Sequence, residues 1–396
     1  MKRSLALLSL LALAAACADA GTPLDPGGAP LLARSAADEG RYIVVLNDGT
    51  DPRAVAAVAG IHPRFVYTAA LNGFAATLNA GQLNALRHLP AVRFVEGDAH
   101  AQLMTTQLFP VWGLDRIDQR DLPLSSTFVY TYTGAGVPVY VLDTGIRRTH
   151  KQFSGRAAYL PNGANGDFVG DGHGSAEDCH GHGTHVAAII GGEGFGVAKD
   201  VRIWAGRVVN CTGGGTASMA IAGMDWLTAN AGPGVVNMSL GYGDVESVRI
   251  AAGRMIDAGH FLAAAAGNGD YAGTPQNACL QSPGGQSKAM TVGSTTSTDA
   301  ESSFSNYGKC VDILAPGSSI RSAWIGSDTA TAIRSGTSMA SPHVAGVAAQ
   351  YLQAAGPTAP GVVHAYLWNS ATVGRITLHA QSVANLTPNR LLLTRF

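Results

Sequence analysis

A chain of 396 residues with 46% hydrophobic and 13% charged residues is long enough to bury a large core and to hold more than one domain, which excludes a disordered protein. A formal net charge of -1 removes the electrostatic footprint expected of a nucleic-acid partner. The 50 glycines point to many turns and close backbone packing, as in large α/β proteins.

The chain opens on Met1-Lys2-Arg3 and an apolar run over residues 5–16, too short to span a bilayer as a stable helix. Residues 1–20 therefore read as a secretory signal, with Ala18-Asp19-Ala20 as a small-x-small cleavage site. Lipidation at Cys17 is the alternative fate of this segment. No later run resembles a membrane span. Export implies an oxidising compartment, so Cys179, Cys211, Cys279 and Cys310 are free to pair, in any of three connectivities. Pairing neighbours in sequence closes two loops of similar length, each contributing about 3–4 kcal/mol in the chain-entropy account.

Residues 21–40, rich in Pro, Gly and Ala, read as a linker. A strand over residues 42–46 ends at the turn Asn47-Asp48-Gly49, and Asp51-Pro52 opens a short helix. Strands around 65–67 and 73–78, a helix over 80–89 and a strand over 92–96 complete a β-α-β-β-α-β unit. The loosely patterned stretch 99–109 suits a processing junction, with cleavage expected between His100 and Gln107. The domains expected are thus the signal (1–20), the linker (21–40), a small domain (41–104) and a large one (105–396).

From Trp112 onward strands and helices alternate, which predicts a doubly wound, mostly parallel sheet with helices on both faces. Functional groups gather beyond the carboxyl ends of such strands. Four segments place chemistry there. Val141-Leu142-Asp143-Thr144-Gly145 puts a carboxylate directly after a hydrophobic strand. Gly181-His182-Gly183-Thr184-His185 puts an imidazole at a glycine-flanked helix start. Ala265-Ala266-Gly267-Asn268 ends a strand of small residues on a side-chain amide. Ser335-Gly336-Thr337-Ser338-Met339-Ala340-Ser341-Pro342-His343 presents a serine at a helix N-terminus, where the helix dipole favours negative charge. Pro342, lacking an N–H, predicts a helix start near Ser338. Taken singly, Asp143 is as readily a turn cap, His182 a loop histidine, Asn268 a turn residue and Ser338 an N-cap. Taken jointly, they are the nucleophile, base, orienting carboxylate and oxyanion donor of acyl transfer.

These segments together resemble the subtilisin-like serine proteases, and within them the proteinase K and aqualysin branch. Trp112-Gly113-Leu114-Asp115-Arg116-Ile117-Asp118 resembles that branch's mature N-terminal region, Ser303-Phe304-Ser305-Asn306-Tyr307-Gly308 its late loop, and residues 41–99 its inhibitory propeptide. The resemblance implies a subtilisin-like three-layer fold behind a ferredoxin-like propeptide. It assigns nucleophilic attack to Ser338, proton transfer to His182, orientation of the imidazole to Asp143, and the oxyanion hole to Asn268 with the Ser338 amide. It further implies that Gly213, Gly214, Gly215, Ser239, Leu240 and Gly241 pair with substrate backbone. With Ala265, Ala266 and Gly267, these line an apolar pocket for the side chain before the cut. Nothing acidic is visible there, so cleavage after aromatic or large aliphatic residues is expected.

The cysteine separations of 32 and 31 residues resemble the branch's two disulfides and so imply Cys179–Cys211 and Cys279–Cys310. No cofactor is implied for catalysis. Structural calcium is, with Asp312 as the matching carboxylate beside the backbone near Ser287 and Ala289. The partners implied are protein and peptide substrates and the chain's own propeptide, acting as chaperone and inhibitor of a secreted monomer.

Two features depart from the branch. The loop over residues 161–179 is long and carries Asp167, Asp171, His173, Glu177 and Asp178. His180 stands two residues before His182, where it either points to solvent or lowers the His182 pKa by like-charge repulsion. Three other readings compete. A metallohydrolase built on His180, His182 and His185 lacks the His-Glu-x-x-His spacing. An α/β-hydrolase esterase requires Gly-x-Ser-x-Gly and a different order of triad residues. A catalytically dead scaffold leaves all four chemical groups unexplained.

Overall fold

Tyr42, Val44 and Leu46 alternate along one strand and all three are buried, a period-two pattern that fixes which face meets the core of the N-terminal unit. The computed structural model describes residues 28–32, 40–98 and 104–394, and the chain divides into two compact units between Ala101 and Gln102. The signal segment, Cys17, most of the linker and residues 99–103 of the expected junction lie outside the described residues.

The first unit runs β1 (Leu31–Leu32), β2 (Arg41–Leu46), α1 (Pro52–Val58), β3 (Phe65–Tyr67), β4 (Gly73–Thr77), α2 (Ala80–Arg87) and β5 (Val92–Gly97). Asp51 caps α1 through the Arg53 amide, and Asn79 with Gln82 forms a capping box on α2. The sheet order is β1-β5-β2-β4-β3. The linker expected over 21–40 is therefore not featureless. Leu31 and Leu32 pair in parallel with Val95 and Glu96, because the edge of β5 offers them a partner.

The second unit begins with β6 (Thr105–Leu108), α3 (Trp112–Ile117), β7 (Thr127–Tyr130), β8 (Pro138–Asp143), β9 (Ala157–Tyr159), α4 (His182–Gly191) and β10 (Arg202–Arg207). It continues with α5 (Ala217–Asn230), β11 (Val235–Met238), α6 (Glu246–Asp257), β12 (Phe261–Ala265), β13 (Met290–Thr295), β14 (Ile313–Pro316), β15 (Ile320–Ala323) and β16 (Thr331–Arg334). It closes with α7 (Thr337–Ala355), α8 (Pro360–Ser370), β17 (Thr372–Val373), α9 (Ala380–Ala384) and β18 (Arg390–Leu391). Residues 105–108, expected inside a loose junction, instead form a strand antiparallel to β7.

The main sheet has nine strands in the order β17-β18-β14-β13-β12-β11-β8-β10-β9, parallel except for the β17/β18 pair. β8 shows why both faces are covered. Val139 and Val141 enter a core shared with α4 and α7, while Tyr140 and Leu142 enter a second core shared with α5 and α6. A strand buried on both faces reads as a continuous apolar run, as this one does.

Pro342 sits in the second turn of α7 rather than the first. A proline there leaves the Ser338 carbonyl without its helical donor, and the Ser239 hydroxyl takes it at 2.8 Å. Tertiary hydrogen bonding thus replaces what the sequence rule assumed would be lost. Cys179 and Cys211 are bonded, as are Cys279 and Cys310.

Candidate active site

The carboxyl end of β8 delivers Asp143, 1% exposed, to the start of α4. Its Oδ1 accepts the Thr144 amide at 2.7 Å and faces His182 Nδ1 at 2.7 Å. The His182 side chain remains 26% exposed, so one edge of the ring is buried on the carboxylate and the other is open. Burial by itself lowers the imidazole pKa, but the Asp143 charge and hydrogen bond, with a smaller push from Asp178, leave it raised above 6.5. The like-charge lowering considered as one of two roles for His180 is therefore not what the site produces. The His180 ring is half-buried against Gly213, its centroid 6.4 Å from that of His182, and the two carboxylates set the sign.

Asp178 is the residue whose role the sequence did not reveal. Its Oδ1 accepts the His180 and Gly181 amides and the Thr144 hydroxyl, at 2.9, 2.8 and 2.9 Å. Its Oδ2 accepts the amide and hydroxyl of Thr184, at 2.9 and 2.6 Å. A buried carboxylate thereby caps α4 from outside the helix, where the N-cap itself, Gly181, has no side chain. Thr144 Oγ1 in turn accepts the Gly183 amide at 2.9 Å, tying the Asp143 turn to the His182 turn. An Asp four residues before a Gly-flanked helix start was the available signal.

The other acids of the long loop are likewise satisfied within the protein. Asp167 and Asp171 both pair with the fully buried Arg207, at 3.0 and 2.6 Å, and Glu177 accepts the Tyr159 hydroxyl. Among the described residues the one cluster of three His, Cys, Asp or Glu ligand atoms is His173 with Cys179 and Cys211, whose sulfurs are joined as a disulfide. The metallohydrolase alternative fails on the same geometry. His185 is buried with Nε2 on the Ile320 and Ala332 carbonyls, at 3.1 and 3.2 Å.

Asp312 offers calcium a poor donor set. One carboxylate oxygen accepts the Thr291 amide at 2.8 Å, and His364 Nε2 stands 3.5 Å from the other. Calcium takes six to eight oxygens, and an imidazole is the wrong ligand for it. The side chains beside Asp312 therefore do not by themselves supply a calcium donor set, whose remaining oxygens would come from backbone carbonyls and water.

Ser338 lies at the second residue of α7, 9% exposed, with its hydroxyl donating to the Ser239 carbonyl at 3.1 Å. In the first turn of a helix its amide has no intrahelical acceptor. Thr337, the residue before it, donates both amide and hydroxyl to Asn268 Oδ1, at 2.8 Å each. Two donors on one atom fix it as the oxygen, so Nδ2 of the exposed Asn268 is free to donate, and it stands beside the Ser338 amide, the two nitrogens being 3.4 and 3.6 Å from a Cβ built on Gly336.

A cavity of about 370 Å³ brings together Asp143, Thr144, His180, His182, Val209, Gly213, Gly214, Gly215, Ser239, Leu240, Gly241 and Tyr242. Ala265 and Ala266, expected in the same lining, are instead buried at the end of β12, 5% and 0% exposed. Gly267 is half-buried, with a φ of 98° and Asn306 Nδ2 2.4 Å from where a Cβ would stand, so only glycine fits. Two unforeseen side chains stand beside these residues. Gln281 reaches across, its Cγ 3.3 Å from a Cβ built on Gly267 and its Oε1 3.1 Å from one built on Gly241. The surroundings of those two glycines are therefore not purely apolar. Tyr242 runs under Gly215, its buried hydroxyl without a hydrogen-bond partner and its pKa pushed up to about 12 by burial and by the Asp143 charge. Nothing in the sequence pointed to either residue, since both enter the cleft from loops through tertiary packing.

A parallel sheet that gathers a serine, an imidazole on a carboxylate and an amide donor at its carboxyl ends defines a hydrolase of the serine proteinase class. Residues 134–391 match the subtilase family, Peptidase S8, and residues 41–104 match the peptidase inhibitor I9 family. The chain is 43% identical to an extracellular serine proteinase of Thermus sp. (strain Rt41A), over 98% of both chains. It is 39% identical to the alkaline serine protease ver112 of Corniculantispora psalliotae, over 96% of both. A cold-adapted subtilisin-like serine proteinase of known structure superposes with a TM-score of 0.67 at 45% identity, covering 73% of this chain and 99% of that one. The chain belongs to the subtilase family: it is a subtilisin-like serine proteinase preceded by an I9 inhibitor domain.

Proposed function

We propose that the chain is exported as a zymogen, removes its own residues up to the 99–104 junction, and then works outside the cell as an endopeptidase with Asp143, His182 and Ser338 as its triad. The observation that carries this reading is the 2.7 Å bond between His182 Nδ1 and buried Asp143, at a cleft lined by Ser239, whose carbonyl accepts the Ser338 hydroxyl at 3.1 Å.

The Ser338 hydroxyl turns about one side-chain bond from the Ser239 carbonyl toward the open edge of His182, whose Nε2 accepts its proton as Oγ attacks the scissile carbonyl. Asp143 holds Nδ1–H and stabilises the imidazolium that forms. The carbonyl oxygen, now an anion, meets Asn268 Nδ2 and the Ser338 amide at the positive end of α7. His182 returns its proton to the leaving amine, and water then repeats the sequence on the acyl-enzyme. Substrate backbone pairs with Gly213–Gly215 and Ser239–Gly241 as an added strand. The side chain before the cut enters between Gly241 and Gly267, where Gln281 gives an otherwise apolar pocket one polar wall. Secretion follows the name of the Thermus relative and the basic–apolar start of the chain, and no described helix is long and apolar enough to cross a membrane.

The test is to express the chain with and without Ser338→Ala and follow its mass. The native chain sheds its N-terminal part and the variant retains it, while a serine-directed phosphonylating reagent labels only the processed native protein. Equal processing of both, or immediate loss of activity with a chelator, contradicts the reading.

A further inference from the structure

The cleft beside His182 is lined by Gly213–Gly215 and Ser239–Tyr242, the segments expected to hold the substrate before the cut, and none of its lining comes from residues 320–334. The β15–β16 hairpin is a separate neighbour of the catalytic residues, for β16 ends at Arg334 and leads directly into Gly336 and Ser338. Trp324, at the end of β15, lies flat on Gly181, the residue immediately before His182. A Cβ on Gly181 would stand 2.5 Å from the indole, and its φ of 107° also demands glycine. His185 meets the same indole edge-on at 6.0 Å, and its carbonyl accepts the Ser322 hydroxyl at 2.8 Å. The hairpin is thus fixed to the start of α4, at the residue before His182, through side chains that do not line the cleft.

Arg334 is the last residue of β16, and its guanidinium sits 4.4 Å over the Trp324 ring. The side chain is exposed, and among the described residues no carboxylate pairs with it. Asp328, the sole acid between Ser318 and Gly336, is occupied by Arg147 and Thr149. A cation stacked on an indole loses little further freedom when an anion binds it, and an unneutralised one near a reaction centre attracts negative charge.

We propose that Arg334, held over Trp324, is a specificity determinant on the leaving-group side that selects Asp or Glu among the first two residues after the cut. This rests on the triad reading given above. It adds a polarity to the substrate: large or Gln-compatible residues before the bond, acidic residues after it. The carboxylate pairs with the guanidinium at the rim of the site, where such pairs are modest in strength.

The test uses internally quenched peptides that share one sequence before the cut and carry Glu, Ala or Lys at the two positions after it. The expected result is a kcat/KM about fivefold higher for Glu than for Lys in the native enzyme, a rim-pair magnitude. That ratio should shrink as salt is raised from about 0.05 to about 0.5 M. In Arg334→Gln the ratio falls to near one and loses its salt dependence, whereas Arg334→Lys retains part of it. Trp324→Leu keeps the charge but unfixes it, and its ratio lies between those of native and Arg334→Gln. Ratios taken within one enzyme are independent of how much of each variant folds. Equal rates on Glu and Lys peptides in the native enzyme, or a Glu preference that survives Arg334→Gln, overturns the proposal while leaving the triad intact. If none of the peptides is cut by processed, phosphonate-reactive protein, the endopeptidase reading fails and this one falls with it.

Discussion

Thr337 donates both its amide and its hydroxyl to Asn268 Oδ1, each at 2.8 Å, and so decides which end of that side-chain amide faces the cleft. Replacing Asn268 by Ala removes the donor itself; in subtilisin, loss of this type of donor lowers kcat by about 10²–10³. Thr337→Val keeps the shape and the backbone bond but deletes the hydroxyl. One of the two constraints on the carboxamide is lost, so kcat should fall about tenfold with KM little changed, as expected when only the transition state is affected. Steady-state kinetics on one peptide decides it. A Thr337→Val enzyme with native kcat would show that the backbone amide alone orients Asn268.

Asp178 makes a second prediction, because it serves both the position and the charge of His182. Asn in its place presents an NH₂ group to some of the five donors that now converge on a carboxylate, leaving them unpaired inside the protein. Breaking such a buried charged network costs about 2–4 kcal/mol of stability. Removing the charge also lets the His182 pKa fall. The acidic limb of kcat/KM against pH, where His182 becomes protonated and inactive, should therefore move to lower pH in Asp178→Asn. A pure packing defect reduces activity at every pH and leaves the limb in place.

How much of this was legible beforehand depended on the distance over which each residue acts. Asp143, His182, Asn268 and Ser338 each sit at the end of a strand or the start of a helix, and local pattern marks such ends. The doubly wound sheet was legible for the same reason: Val139, Tyr140, Val141 and Leu142 show no period-two alternation because both sides of β8 are covered. Gln281, Tyr242 and Trp324 were not legible. Gln281 and Trp324 touch the site from a loop and a hairpin far away in sequence, and Tyr242, next to Gly241, matters only because the fold turns its side chain under Gly215, contacts for which a single chain carries no signal. Pro342 marked the helix start near Ser338 correctly, since α7 begins at Thr337, but it stands in the second turn, for a related reason. The helix-start rule weighs only helical hydrogen bonds, whereas Ser239, 99 residues upstream, satisfies the carbonyl that the proline strands.

Gln281 gives a prediction about substrate choice. Its stem lies at Gly267 and its carboxamide oxygen at Gly241, so it narrows the pocket and presents an acceptor there. Gln281→Ala should widen the preference toward Phe and Tyr before the cut. Gln281→Glu should bring in Lys and Arg, improving their kcat/KM by about tenfold relative to Phe at low ionic strength, the scale of a partly desolvated charge pair. Profiling with a peptide library varied at that one position measures both. An unchanged profile in Gln281→Glu would place the carboxamide outside the pocket.

Two buried histidines make the fold acid-sensitive. His343 is fully buried in α7, with Nδ1 on the Met339 carbonyl at 2.8 Å and Nε2 against Gly113, where a Cβ would come within 2.6 Å. Burial, only partly offset by the Met339 bond, pushes its pKa down to about 4, and burial likewise pushes His185 down to about 4. Both are neutral in the folded protein at pH 5, while in the unfolded chain they take up a proton below about 6.5. Stability from each is therefore complete above pH 6.5 and is lost as pH falls toward 4, by up to about 3 kcal/mol per histidine. Urea unfolding of the uncleavable Ser338→Ala chain between pH 7.5 and 4.5 should show this loss. His343→Gln, whatever its stability at pH 7.5, should show a shallower pH slope because one buried proton acceptor has gone. Parallel slopes for the two proteins would assign the acid sensitivity to groups other than His343.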